Sequence, residues 1–323
     1  MNFVEIIKII LYTTIILVLL VGIALGEYLY RLVINNKTDK SLFLNAPHNK
    51  STKEFLNLPI DESKKALEWF ESNSKEDYIE SFDHLKLHYY IVKNRIPTNK
   101  WVIIAHGYNS HALKHSLNAL NFYNMGFNIL APDARGHGKS EGDYIGMGYK
   151  DRLDITSYIY EIINKFSINK PEPEILLYGC SMGAATVMMT LAEKLPNNVK
   201  ACIADCGYSS VWAELSYQFK KIFKLPAIPI LNFMSLMTKI HAGYFLENIN
   251  VKKRLKKSKI PVLLIHGGND TFVPTEMTEE NYKSINSPKE KLIVPGAGHA
   301  ESSKIAPELY WNKVFNFISK YMD

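Results

Sequence analysis

Six short apolar runs, rich in β-branched residues, punctuate the chain after residue 100: WVIIA (101–105), FNILA (127–131), EILLY (174–178), VKACIA (199–204), PVLLIH (261–266) and KLIVP (291–295). Each is followed by a turn rich in glycine or aspartate, and helical stretches separate them. Runs that are apolar throughout, rather than alternating, belong to strands covered on both faces, so the pattern predicts an α/β fold with a mostly parallel sheet and helices on either side. Tyr78 to Val92 alternates well enough for a strand pair ahead of them. Over 323 residues, 47% are apolar and 22% charged, which is the globular range and excludes a disordered or collagen-like chain.

The turns after these strands carry the chemistry. Gly179-Cys180-Ser181-Met182-Gly183 follows EILLY and precedes the helical AATVMMTLAEKL. A serine between glycines at a strand-to-helix turn is a nucleophile elbow, in which small neighbours tolerate a tight, strained turn that lifts the hydroxyl above the sheet. A serine hydroxyl is a weak nucleophile, so it needs a base to take its proton and an acid to orient that base. Asp270 follows the strand PVLLIH in a glycine-rich turn, and His299 follows KLIVP after two glycines. The expected catalytic residues are therefore Ser181, Asp270 and His299, all at carboxyl ends of parallel strands, where such sheets gather their ligands. Two backbone N–H groups would stabilise the oxyanion: Tyr108, in the AHGYN turn after the first parallel strand, and Met182, next to the nucleophile. The chemistry requires no metal or organic cofactor.

Other polar residues in these turns have plainer readings. His106 and His266 precede glycines at strand exits, where a ring commonly bonds neighbouring backbone, and His137 sits in a similar loop. Asp205, after VKACIA, is the rival for the acid. Asp133 and Arg135 would pin their own turn. Cys180 is expected to point into the sheet, and all three cysteines (180, 202 and 206) read as small buried hydrophobes without disulfide or metal spacing.

From about Tyr78 to the carboxyl terminus the chain resembles an α/β-hydrolase of the serine aminopeptidase-like and esterase-like branch. Besides the elbow, Asp270 and His299, PDARGHGKSEG (132–142), ADCGYSSVW (204–212) and GAGHAES resemble bacterial cell-surface hydrolases that carry one amino-terminal membrane anchor. The resemblance implies the α/β-hydrolase fold, serine-hydrolase chemistry and a catalytic domain outside the cell. It supplies no substrate.

Residues Ile9 to Gly26 contain no charge, and 18 residues at 1.5 Å each reach roughly 27 Å, close to the thickness of a hydrocarbon core. A transmembrane helix is expected within residues 1–34. A cleaved signal peptide competes, with Ala24-Leu25-Gly26 as a cut site, but the run is longer than such regions usually are. Lys8 on one side, against Arg31, Lys37 and Lys40 on the other, leaves orientation undecided by charge. Residues 35–77 read as a polar linker with a short helix, Asp61 to Ser72, capped by Asp61. Residues 78–323 form the hydrolase domain.

Gly207 to Asn250 is too long for one crossover. Val211, Trp212, Leu215, Phe219, Ile222 and Phe223 share a helical face, and the segment reads as an inserted lid. With Phe233, Met234 and Met237 it would cover the serine and favour a small, hydrophobic acyl substrate. A peptidase is the alternative, with Glu214 or Glu247 gripping a free amino terminus. A non-catalytic membrane-tethered binding module is the reading from another class. The net charge of +6 and the basic run KKRLKKSK (252–259) lack interleaved aromatics, so nucleic acid is not expected as a partner.

Overall fold

The computed structural model describes residues 2–44, 60–166, 171–222, 224 and 226–322. The six runs are strands, and with the hairpin ahead of them they form one sheet: β1 (Lys75–Glu80), β2 (Lys86–Val92), β3 (Lys100–Ala105), β4 (Asn128–Pro132), β5 (Glu174–Cys180), β6 (Val199–Asp205), β7 (Val262–Gly267) and β8 (Lys289–Val294). The spatial order is β1-β2-β4-β3-β5-β6-β7-β8. Only the β1–β2 and β2–β4 pairings are antiparallel. The chain steps outward from β3 to β4 and then crosses back to β5, which leaves a crevice at the carboxyl ends of β3 and β5, where Ala105 faces Gly179.

Among the described residues, three helices precede the sheet: α1 (Phe3–Val33), α2 (Ser41–Leu44) and α3 (Ile60–Asn73). Within it, α4 (Ser116–Asn124) joins β3 to β4, α5 (Asp151–Glu161) leads toward β5, and α6 (Met182–Thr190) follows the elbow. Between β6 and β7 run α7 (Val211–Ile222), α8 (Ile230–Ala242) and α9 (Val251–Leu255); α10 (Glu276–Ser284), α11 (Ser302–Ile305) and α12 (Pro307–Ile318) complete the chain.

Strand residues alternate between two cores. Trp101, Ile103, Leu130, Ile175 and Leu177 pack with α5, α6 and the end of α1, while Val102, Ile104, Leu176, Tyr178 and Ile203 pack with α3, α4 and α12. Burial on both faces is why the runs carry no polar alternation.

The apolar amino-terminal run is the helix α1, long and apolar enough to cross a membrane. It opens on a reciprocal cap between Asn2 and Glu5. Its apolar side chains from Phe3 to Val21 are exposed, whereas Leu29, Leu32, Val33 and Ile34 are buried in the domain.

Two expectations are corrected, on the short helix and on the helical insertion. At the start of the 35–77 linker the Asn36 amide donates to the carbonyls of Gly136 and Gly142, and the Ile145 N–H donates to the Ile34 carbonyl. Residues 45–59 of that linker lie outside the described residues. The short helix begins at Ile60, so Asp61 lies in its first turn rather than at its cap. The helical insertion after β6 exists, but it does not cover the serine: Phe219, Met234 and Met237 are buried in the core, and Phe223 lies outside the described residues.

Candidate active site

The elbow is built from backbone crowding. Ser181 has φ +56° and ψ −117°, a conformation a residue with a side chain rarely adopts, and it sits between the end of β5 and the first residue of α6. Its N–H donates to the Asp205 carbonyl on the neighbouring strand at 2.8 Å. The flanking glycines are obligatory for space. A Cβ on Gly179 would lie 2.3 Å from the Gly183 carbonyl oxygen, and one on Gly183 would lie 2.1 Å from the Ala105 carbonyl oxygen.

Three distant turns converge on this serine. His299 Nε2 is 2.8 Å from Ser181 Oγ, and His299 Nδ1 is 2.7 Å from Asp270 Oδ2. Asp270 is held in turn: its Oδ1 accepts from the N–H groups of Phe272 at 2.8 Å and Val273 at 2.9 Å. Burial works against charge on this carboxyl, but the His299 ring and the bond from His266 outweigh it and hold the group well below the usual carboxylate range. Burial likewise disfavours a charged His299, yet the adjacent Asp270 carboxylate prevails and raises the imidazole well above its ordinary value.

Asp205 does not play this part. Its carboxylate accepts from the Tyr310 hydroxyl at 3.0 Å, and burial pushes it up to about 6. Asp270 is the carboxylate that meets the His299 ring.

His266 is a neighbour that sequence reasoning placed only as a backbone-bonding ring. Its Nε2 lies 2.9 Å from the Val273 carbonyl and 3.1 Å from Asp270 Oδ2, and its Nδ1 lies 2.6 Å from the Thr278 hydroxyl. The four-residue spacing to Asp270 within one strand exit was the available signal. His106 bonds backbone: its Nδ1 lies 2.8 Å from the Gly107 carbonyl, and its Nε2 accepts from the Ala134 N–H at 2.9 Å. Asp133 accepts from the N–H groups of Ala112 and Lys139, and Arg135 pairs with Asp83 and Asp154, so this turn is internally pinned.

The proposed oxyanion donors flank the serine. The loop carrying Tyr108 passes so close that a Cβ on Gly107 would lie 3.4 Å from Ser181 Cβ. Met182 opens α6, where an N–H has no intrahelical acceptor. The Tyr108 hydroxyl, which sequence gave no reason to notice, donates to the Val33 carbonyl at 2.7 Å.

A cavity of about 650 Å³ opens over Ser181 and His299. Leu44, Leu67, Leu113, Leu117 and Phe272 provide its apolar wall, with Asp39, Lys64 and Lys114 also lining it. Among the described residues the cover thus comes from α2, α3 and the 107–117 loop rather than from the segment after β6. Cys180 also borders the cavity, and its buried Sγ is 3.8 Å from that of Cys206, just past the neighbouring strand. Glu214 and Glu247 are absent from the wall. Glu214 is buried, which pushes its carboxyl up to about 8, and Glu247 accepts from the Ser235 hydroxyl.

Among the described residues, Cys206, Asp270 and His299 bring three potential metal-ligand atoms within 4.8 Å of one another. The set suits a metal poorly. Asp270 and His299 already bond each other, and burial keeps the Cys206 thiol well above its ordinary range and therefore protonated.

A parallel sheet with an elbow at its switch point, and an acid and a histidine on later strand ends, defines a class. The chain is a member of the α/β-hydrolase superfamily. Residues 97–243 match the family model described as serine aminopeptidase, S33. The Bacillus subtilis protein YqkD is 25% identical over 277 residues, 85% of this chain and 89% of that one. A monoacylglycerol lipase from Mycolicibacterium smegmatis is 21% identical over 252 residues, 68% of this chain and 88% of that one. The solved structure of a Pyrococcus furiosus esterase superposes with a TM-score of 0.63 at 27% identity, covering 77% of this chain and 92% of the esterase. The molecule is thus hydrolase-like, with esterases among the proteins it is similar to.

Proposed function

We propose that this chain is a membrane-anchored serine hydrolase that cleaves an ester, thioester or small amide through an acyl-enzyme. The observation that carries the reading is the unbroken hydrogen-bond chain from Ser181 through His299 to Asp270 at the floor of an apolar cavity. Ser181 Oγ attacks the carbonyl carbon while His299 Nε2 takes its proton. Asp270 holds the ring by Nδ1 and stabilises the imidazolium that forms. The N–H groups of Tyr108 and Met182 receive the oxyanion. His299 returns the proton to the leaving group, and water then repeats the cycle on the acyl-enzyme. The chemistry draws on no cofactor.

The likeness to an esterase and to a monoacylglycerol lipase favours an acyl substrate, and the leucine-lined wall suits an apolar acyl group. A fluorophosphonate probe should label the protein and fail to label Ser181→Ala. Equal labelling of both would leave a non-catalytic binding module as the better reading.

The family description favours a second reading, an aminopeptidase. Such an enzyme must hold a substrate ammonium near the serine, and neither Glu214 nor Glu247 faces the cavity. Comparing p-nitrophenyl acyl esters with aminoacyl p-nitroanilides separates the two. The helix α1 would be a single-pass anchor with the catalytic domain outside the cell, and protease digestion of intact cells tests that placement.

A further inference from the structure

The segment between β6 and β7 leaves the cavity to other elements and instead packs along α1. The Phe233 side chain lies over two glycines spaced four apart. A Cβ on Gly22 would sit 2.3 Å from the Phe233 ring, and one on Gly26 would sit 2.7 Å from the Phe233 carbonyl carbon. Small residues at this spacing let helix backbones approach closely, the way helices associate within lipid. Higher up, Glu27 pairs with His241 at 2.7 Å, and the His241 ring stacks on Tyr30 with centroids 4.6 Å apart.

These contacts set the direction of α8. Phe233 meets Gly26, whereas Tyr244 donates to the carbonyl of Ile145, whose own N–H donates to the Ile34 carbonyl. Both helices therefore rise toward the domain. The residues ahead of Phe233 point back down α1, alongside its apolar run. Ile228 precedes Phe233 by five residues, which at 1.5 Å per helical residue puts it roughly 5 to 8 Å below the level of Gly26.

We propose that residues 226–229, which lead into α8 and expose Ile228, are a second membrane contact that enters the lipid leaflet beside α1. This rests on the reading of α1 as a membrane-spanning anchor. Ile228 is 65% exposed. Pro226 and Pro229 flank it and lack backbone N–H groups, which lowers the number of donors that irregular backbone would leave unpaired in lipid. Ahead of Ile228 in the chain Lys220 and Lys224 are exposed, and the chain from Leu215 to Leu246 holds four lysines and no carboxylate. That pairing of apolar and basic residues fits the boundary between acyl chains and anionic headgroups. The occupant is lipid rather than a second protein because the surface is continuous with the bare, apolar flank of α1 from Phe3 to Val21. Two contacts would fix the tilt of the domain, holding the cavity wall supplied by Asp39, Ser41 and Leu44 close to the bilayer.

The test uses the full chain in phosphatidylcholine and phosphatidylglycerol vesicles, with a bimane fluorophore placed on Ile228→Cys, on Asn232→Cys as a second tip position, and on Leu17→Cys at the middle of the apolar run. Hydrolysis of a soluble p-nitrophenyl ester verifies folding of each variant. Lipids brominated near the headgroup should quench the labels at 228 and 232 by at least twofold, and lipids brominated deep in the chain should quench the label at 17. Quenching at 17 but at neither tip position overturns the proposal and leaves the anchor standing. Tip labels reached by aqueous iodide alone, or shielded from both lipid and iodide by another protein, also overturn it. Absence of quenching at all three positions removes the anchor and the tip contact together. Quenching at the tip positions but not at 17 removes the anchor, and with it the proposal of a contact beside α1.

Discussion

The phenol of Tyr108 donates to the backbone carbonyl of Val33 at 2.7 Å, so the loop that carries a proposed oxyanion donor is fastened to the last turn of the amino-terminal helix. That carbonyl is one of the four a helix end leaves without an intrahelical partner. The bond satisfies it and positions the loop at once. Tyr108→Phe should lower kcat several-fold on a soluble ester while leaving KM within about twofold, and cost about 1 kcal/mol in chemical unfolding. An unchanged kcat would separate the loop from the helix end.

Shortening the chain tests the same connection from the other side. Leu29, Leu32, Val33 and Ile34 are buried in the core, and burying each such side chain contributes about 1.5 to 3 kcal/mol. A chain starting at Glu27 should remain folded and hydrolyse a soluble ester. One starting at Lys37 should be insoluble or melt at a markedly lower temperature, which thermal unfolding would record.

Asp270→Asn should lower kcat by about 10⁴ with the fold retained, because the ring loses the partner that sets its tautomer and stabilises its charge. Asp205→Asn, whose parent carboxylate bonds the Tyr310 hydroxyl rather than the imidazole, should cost less than about tenfold. Steady-state kinetics of both variants on one ester would reveal a reversed order, and that order would reassign the acid.

The pH profile follows from His299. Its raised pKa means the ring must lose its proton before it can act as base, so kcat should rise with pH through a midpoint above about 6.5, the ordinary histidine value. In Asp270→Asn that midpoint should move down. Stability runs the other way: a group that binds its proton more tightly when folded contributes fully below the unfolded value, and the contribution is lost as pH climbs through the folded one. Melting curves and rates across the same buffers should therefore slope oppositely.

Glu214 supplies a second linkage. Its carboxyl is pushed up to about 8 by burial, so its neutral form stabilises the fold at low pH, and that contribution declines as pH rises from the unfolded value toward 8. Glu214→Gln keeps the shape and removes the titration. The variant should gain on the parent as pH rises from about 4.5 to 8 and level off above it, measured by thermal unfolding at pH 5 and pH 9; a constant difference would mean the carboxyl is not buried in solution.

The sheet and the strand-end turns that carry Ser181, Asp270 and His299 were legible because they rest on local rules. Strands buried on both faces must be continuously apolar, and Gly179 and Gly183 must lack side chains where backbone atoms approach at the elbow. The choice of Asp270 over Asp205 was harder, since both end neighbouring strands. The N–H groups of Phe272 and Val273 fix one rotamer and the Tyr310 hydroxyl engages the other carboxylate, and neither contact follows from spacing.

Sequence by itself determined the elements, the strand-end turns that hold the candidate site residues and the uncharged helix at its start, because propensity, periodicity and hydropathy act over a few residues. Tertiary structure alone decided which segment covers the cavity and what the helices after β6 touch. An apolar face states that it must be buried and leaves open against what. Here Phe233 found the glycines of α1, and the wall over Ser181 fell to α2, α3 and the 107–117 loop.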